Sequence, residues 1–396
     1  MASPIDFHAD LRVTSTTPPR TEAYIPASTI QVHASNLLLL PSGELLCAWF
    51  GGSMEGISDI YIWLSRLAPG ANEWTTPMQV SEDPARSEQN PVLFLDERSG
   101  NLWCIYTAQE HGAQNKCLVR RRISTDLGKT WGEPAELFPD RGIFVRQPII
   151  VLNDKNGPGK DVWVLPVFHC RAEEGVEWVG NDDVSAVRYS EDSGKTWKES
   201  MVPESRGAVH MNIRPDPSSP GKYVGVYRSR WADNIYLSRS DDCINWTKPE
   251  PTELPNPNSG ICLGVLPKSG KLALVYNDSR ATPDMVQRTG LYDDIETDGP
   301  KLKKQAVIGD KAAIWGTPRS KMTLALSSDG GRTWPEKRLL EEGDGFCLTN
   351  NSKDKINREL SYPSITVADD ETMHIAFTFW RQRIKYVKVK ADWVKG

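Results

Sequence analysis

The sequence predicts an all-β chain folded as a six-bladed β-propeller of four-stranded antiparallel blades. Three observations predict it. A turn of the form Ser-x-Asp-x-Gly-(Lys/Arg)-Thr-Trp occurs at 124–131, 190–197 and 327–334. Six segments pair an apolar run, a turn and a second apolar run. The 396 residues include 30 Gly, 28 Pro and 14 Trp, a composition suited to many short strands joined by tight turns.

The repeated turn has a physical logic. The Asp side chain accepts hydrogen bonds from turn amides. Gly supplies a positive φ without a steric cost. Trp offers a large apolar body to pack between neighbouring sheets. A degraded copy keeps Asp241 and Trp246, with Cys243 where the Gly belongs.

The paired runs give the blade count. They fall at 33–50, 89–108, 146–169, 210–230, 258–280 and 361–381. Each is followed by a third strand, at 59–66, 116–124, 184–190, 234–240, 322–328 and 384–389. Each unit then closes on a tryptophan: Trp74, Trp131, Trp197, Trp246, Trp334 and Trp393, about 64 residues apart on average. Length alone would suggest two or three domains. The repeat makes residues 1–396 a single ring instead.

The ring orients the chain. Strand direction alternates, so the starts of first strands, the ends of second strands and the loops that follow share one rim. The Asp-bearing turns lie on the other. Extra length gathers on the first rim: an insertion at 281–320 in the fifth blade, and a long link at 170–183 in the third, with Trp178. Long loops on a rigid scaffold commonly carry function, and the insertion is a candidate lid.

Composition narrows the partners. The 47 basic and 52 acidic residues leave a net charge of −5, which argues against nucleic acid. No apolar run is long enough for a membrane span, so no membrane association is expected. The first residues show no basic stretch followed by an apolar one, so a cytoplasmic location is expected, with secretion the alternative if a leader has been removed. Seven scattered cysteines include no C-x-x-C pair; Cys47, Cys104 and Cys262 read as buried thiols. The six histidines show no ligand spacing, so neither metal nor cofactor is expected.

Residues at the mouth of the ring suggest chemistry. First-strand starts bring His33, Asn36, Arg146, Gln147, His210 and Tyr362 there; second-strand ends bring Arg228, Arg280 and Arg381; the fifth blade's third strand brings Arg319. Guanidinium groups bind carboxylates two-point fashion, so a carboxylate-bearing small molecule or glycan is the expected substrate. His33 and His210 beside Tyr362 suit acid–base work near neutral pH.

The repeated turn resembles the Asp-box, or BNR repeat, of the sialidase (neuraminidase) superfamily, and the resemblance runs blade by blade over the chain. It implies three arginines on the substrate carboxylate, a Tyr nucleophile assisted by a Glu, and an Asp acid/base from the first blade. Tyr362 in Ser-Tyr-Pro-Ser sits where the family Tyr sits. Arg228, ending Val-Gly-Val-Tyr-Arg, matches the second arginine, and Arg319 the third. Asp59 lies in the region of the acid/base Asp, with Glu55 competing. The chain departs from the pattern twice. His33 stands where the first arginine belongs, and the start of the fourth blade, Val209-His210-Met211-Asn212, lacks the Glu. The resemblance therefore implies a divergent sialidase-like enzyme on an acidic sugar, expected to be an exo-glycosidase. A lyase or biosynthetic enzyme on the same scaffold, and a non-catalytic glycan- or protein-binding propeller, are the alternatives.

Overall fold

The computed structural model describes residues 5–110, 113–153, 161–174, 176–285, 302–303, 311–348 and 359–395. Six antiparallel sheets form a six-bladed propeller, with a single short helix among the described residues, Ala391–Lys395. Blade I runs Gln31–Leu39, Leu45–Gly52, Tyr61–Leu67 and Met78–Gln79. Blade II runs Ser87–Asp96, Asn101–Glu110, Ala113–Ser124 and Ala135–Glu136. In blade III the first strand is broken: Ile143–Val145 and Ile150–Asn153 both pair with Asp161–His169, followed by Val184–Ser190 and Lys198–Met201. Blade IV runs Ala208–Pro215, Tyr223–Ser229, Asn234–Ser240 and Glu250–Pro255; blade V runs Cys262–Leu266, Lys271–Asn277, Lys321–Ser327 and Glu336–Glu342.

Blade VI closes the ring. Its inner strands are Leu360–Val367, Met373–Phe379 and Arg383–Val389; its outer two, Pro19–Ile25 and Arg12–Thr16, come from the N-terminal region. Arg20 to Ile25 pair with Val389 to Ile384, tying the two ends of the chain into one sheet. Trp393, expected to close a strand unit, lies instead in the short helix, buried between the guanidinium groups of Arg20 and Arg338.

Packing explains the strand sequences. Each inner strand is covered on both faces by neighbouring blades, so Leu45–Gly52 is buried along its whole length. One apolar cluster joins Phe50, Ile62 and Leu64 of blade I to Leu93, Leu102 and Tyr106 of blade II. The outer strand Glu336–Glu342 reads instead as alternating exposed and covered residues, as expected of a strand with one face in water. All seven cysteines are buried, and none forms a disulfide.

The three repeated turns are superimposable in their bonding. Asp192 Oδ1 accepts from Thr196 N at 2.9 Å and from Ser190 Oγ at 2.7 Å, and Oδ2 from Thr196 Oγ1 at 2.6 Å. Asp126 and Asp329 accept the same set. These bonds hold the Asp carboxyls below their ordinary range. Gly194 has φ +80°, and a Cβ there would come within 2.9 Å of Trp163 and 3.1 Å of Trp103 in blade II. In the degraded copy the working carboxylate is Asp242 rather than Asp241: it accepts from Ile244 N and Asn245 N at 2.9 and 2.7 Å. This turn is one residue shorter, and Cys243 takes its positive φ of 65°. Asp241 pairs outward with Lys222.

A second repeat shapes the axis. The first strands of blades I, II, IV and VI are each interrupted between His33 and Asn36, Gln89 and Val92, Val209 and Asn212, and Ser361 and Ser364. At each bulge one non-glycine residue takes positive φ: Ala34 (61°), Asn90 (51°), His210 (55°) and Tyr362 (46°). Bulges re-aim side chains, and strained backbone of this kind concentrates at functional sites.

Candidate active site

Tyr362 is the centre of the axial cluster. Its ring centroid lies 4.2 Å from that of His33 and 5.6 Å from that of His210, which stands edge-on to it. The guanidinium carbons of Arg146, Arg228 and Arg319 lie 5.5, 5.4 and 5.7 Å from the same centroid. Arg228 Nη1 donates to Tyr362 Oη, and its Nε donates to Asn258 Oδ1 at 2.6 Å. The group is almost dry: Arg228 is 1% exposed, Arg146 2%, His210 4% and Tyr362 8%.

Charge balance divides the arginines into two sets. Glu359 sits beneath one. Its carboxylate accepts from Arg319 Nη1 at 2.6 Å, Arg381 Nε at 2.5 Å and Ser361 Oγ at 2.7 Å. Arg381 also pairs with Glu55 at 2.5 Å. Arg230 is held by both Nε and Nη2 on Asp183, at 2.9 and 2.7 Å. Arg146 and Arg228 have no carboxylate partner among the described residues. Arg146 Nη2 reaches only carbonyl oxygens, of Ser35 (2.9 Å), Tyr362 (3.2 Å) and Pro363 (3.2 Å). Arg146 Nε and Arg228 Nη2 are buried without a hydrogen-bond partner. A buried, uncompensated cation is costly, so this pair marks a place for an anion.

The field shows in the titrating groups. Burial pushes Arg228 down to about 9, and pushes Arg146 down as well. Burial, then the charge of Arg228 and Arg230, holds His210 well below the ordinary histidine value. Burial and Arg381 do the same to His33 against the opposing pull of Glu359. Burial would raise the Glu359 carboxyl, but Arg381 and Arg319 hold it well below the usual range. The site thus presents two neutral imidazoles in a cationic surround. His33 Nδ1 is engaged by Thr378 Oγ1 at 2.9 Å, whereas His210 Nδ1 is buried and unpartnered.

Of the residues expected at the mouth, His33, His210, Tyr362, Arg146, Arg228, Arg319 and Arg381 converge. Asn36 and Gln147 instead tie blades together: Asn36 Oδ1 accepts from Leu93 N, while Gln147 donates to Ile261 O and accepts from Asn212. Asp59 is exposed and accepts from Ser53 N at 3.2 Å; Arg280 is exposed as well. The sequence already offers Glu359 as a salt-bridge partner of the mouth arginines and Asn258 at a first-strand start, where its φ of 54° aims it at Arg228; it gives no sign of Asp183 as the partner of Arg230. The signal for Glu359 was its place three residues before Tyr362, in the same strand start.

The fifth-blade insertion lies largely outside the described residues, at 286–301 and 304–310. Its described end crosses to the blade III link. Trp315 Nε1 donates to Val179 O at 2.9 Å, Ala313 N to Asn181 Oδ1 at 2.7 Å, and Ile314 N to Arg230 O at 2.8 Å. Val176–Glu177 and Leu302–Lys303 pair as a short parallel ladder. The Trp315 ring covers Arg228 and Arg230, at 5.7 and 5.0 Å. A separate cleft of about 730 Å³ is lined by Leu38, Leu93, Ile149 and Val367 with Glu97 and Asp370. It has neither arginine nor histidine in its lining and is not this site.

No helix among the described residues is long and apolar enough to cross a membrane, and no described cluster of His, Cys, Asp and Glu has the makings of a metal site.

A six-bladed ring with box turns on one rim and arginines around an axial tyrosine defines a sialidase-like propeller. The chain belongs to the family described as BNR repeat-like domain, whose model matches residues 43–375, and it is a divergent member of the sialidase superfamily. It is 24% identical over 347 residues to a protein named sialidase from Bacteroides fragilis (strain YCH46), covering 78% of this chain and 55% of that one. The chain thus spans about half the length of this curated relative. The Hadza microbial sialidase Hz136 shares the fold with a TM-score of 0.67 at 17% identity, over 92% of this chain and 66% of that one. The intramolecular trans-sialidase from Ruminococcus gnavus, solved with oseltamivir carboxylate, shares it with a TM-score of 0.61 at 12% identity, over 94% and 97%.

Proposed function

We propose that this chain is a carbohydrate-active enzyme that holds a sugar acid by its carboxylate at Arg146 and Arg228. It breaks a glycosidic bond made by that sugar, one terminal unit at a time. The observation that carries the reading is the pair of buried guanidinium groups without a counter-anion, beside Tyr362 and His210. A two-point carboxylate contact would supply the missing charge and the missing acceptors together. Sialidase relatives support the substrate class, since one is solved with a ligand named as a carboxylate. Terminal action fits the Trp315 ring standing over Arg228 and Arg230.

The test is a screen of oligosaccharides ending in N-acetylneuraminate, glucuronate or galacturonate, read by mass spectrometry. Release of single acidic units, and none from the matched neutral oligosaccharides, is expected. Cleavage of neutral glycans alone, or saturable binding of all these glycans without cleavage, would overturn the reading; the latter would favour a binding platform.

A further inference from the structure

Resting on that reading, the geometry points to an elimination rather than a hydrolysis, with His210 as the base and a 4-linked hexuronate as the substrate class. Hydrolysis with Tyr362 as nucleophile would still call for one carboxylate to activate the phenol and another carboxyl group as the acid. Here the carboxylates that reach the cluster are already engaged. Glu359 serves Arg319 and Arg381, Glu55 serves Arg381, and Asp183 serves Arg230. Asp59 is turned to its own loop. The groups left beside Arg146 and Arg228 are a neutral imidazole with a free ring nitrogen and a phenol.

That set suits removal of a proton from the carbon next to a carboxylate. His210 Nδ1 takes the C5 proton of the uronate. The C–H electron pair forms a C4=C5 double bond as the C4–O bond breaks. The departing oxygen takes the proton of Tyr362 Oη, on which Arg228 Nη1 already donates. No water is consumed: the products are an unsaturated acid and an alcohol. The enzyme ends with one proton gained at His210 and one lost at Tyr362, which solvent exchange restores.

The arginines do two things in this step. On the substrate carboxylate they stabilise the charge that builds there as the proton leaves. The same carboxylate offsets their field at His210, where Arg228, Arg230, Arg146 and Arg319 all act. Binding therefore makes His210 a stronger base at the moment it is needed. His33 is not equivalent: Thr378 Oγ1 engages its Nδ1, and its Nε2 lies 3.7 Å from the Glu359 carboxylate rather than among the uncompensated arginines.

Substrate class follows from the chemistry. The step needs a hydrogen on the carbon that bears the carboxylate and an oxygen substituent one carbon further on. A 4-linked hexuronate has both. A sugar whose carboxylate sits on a fully substituted anomeric carbon has no such hydrogen.

The experiment uses the full chain with 4-linked oligogalacturonate and oligoglucuronate, and with 4-methylumbelliferyl N-acetylneuraminide in parallel. Ultraviolet absorbance of the conjugated double bond and product mass are followed. The expected result is rising absorbance with a product one water lighter than the hydrolysis product. His210→Gln should slow it about 100-fold while uronate binding is kept. Wild-type enzyme should also turn over C5-deuterated substrate more slowly, a readout that needs no variant. Hydrolysis of the neuraminide with the uronides untouched would overturn the elimination and leave the carboxylate reading standing. So would a saturated product, or an unimpaired His210→Gln. Failure to bind any of these acids would overturn both.

Discussion

Arg228 donates to the hydroxyl oxygen of Tyr362, yet no described carboxylate answers its charge. Arg381, two residues past the strand Met373–Phe379, is by contrast paired with two, Glu359 and Glu55. Two buried arginines of the axial cluster therefore have opposite electrostatic standing, and the difference is measurable.

Arg228→Met removes a buried cation with no counter-anion. It should leave the ligand-free protein as stable as wild type or more so, as replacing buried charge by apolar packing often does. Arg381→Met strands Glu55 and leaves Glu359 with Arg319 as its one paired cation, and should cost about 3–5 kcal/mol. Urea denaturation of the two variants beside wild type reads the contrast directly. Equal destabilisation of both would show that Arg228 is a structural residue like Arg381.

Stability should fall on the acid side. Burial, helped by Lys388, pushes His374 down to about 4. His33 and His210 are shifted the same way. A histidine depressed in the folded chain is protonated first in the unfolded one. Its effect is absent above about pH 6.5 and grows as pH drops toward the folded value. For His374 alone the loss approaches about 3 kcal/mol by pH 4. Glu359 adds to it below the ordinary carboxylate range, since its stabilising ion pairs are lost as the group is protonated. Denaturation midpoints at pH 7.5, 6 and 5 should decline, and His374→Gln should flatten the slope. A midpoint constant down to pH 5 would contradict the burial of these groups.

The box turns are load points between blades. Gly194 holds φ +80° against the indoles of Trp163 and Trp103. Gly194→Ala should destabilise the protein by about 1–3 kcal/mol, from both the left-handed backbone and the crowded Cβ. Gly70, at φ +77° with open space around a Cβ, serves as the control for backbone strain alone. Thermal melts of the two variants separate the terms: a larger loss at Gly194 reports the inter-blade contact.

Much of this was legible in the sequence because the repeat reports position. A residue at the start of a first strand must face the axis, which is how His33, His210 and Tyr362 could be placed together without coordinates. The repeat does not report what each side chain meets across the ring. Asn36 and Gln147 occupy the same register as the axial residues, but they bond to Leu93 and Ile261 of other blades. Asp183 acts on Arg230 of the next blade, and Glu359 on Arg381 some 22 residues on; the repeat does not report which arginine each carboxylate meets. Blade VI is similar: the strand Pro19–Ile25 pairs with Arg383–Val389, so that Arg20 meets Val389 from the far end of the chain. The degraded box was misread by one residue because its turn is shorter, so the bonding Asp242 stands where spacing pointed to Asp241.

The central claim is that Arg146 and Arg228 form a carboxylate seat, and one calorimetric titration tests it most directly. A sugar acid, glucuronate or N-acetylneuraminate, is titrated into wild type and Arg228→Ala beside its methyl ester, which keeps the ring and loses the charge. The account predicts that at least one acid binds wild type, that its ester binds far more weakly, and that Arg228→Ala weakens the acid by about 2–5 kcal/mol. Equal binding of acid and ester, or unchanged affinity in Arg228→Ala, would contradict it.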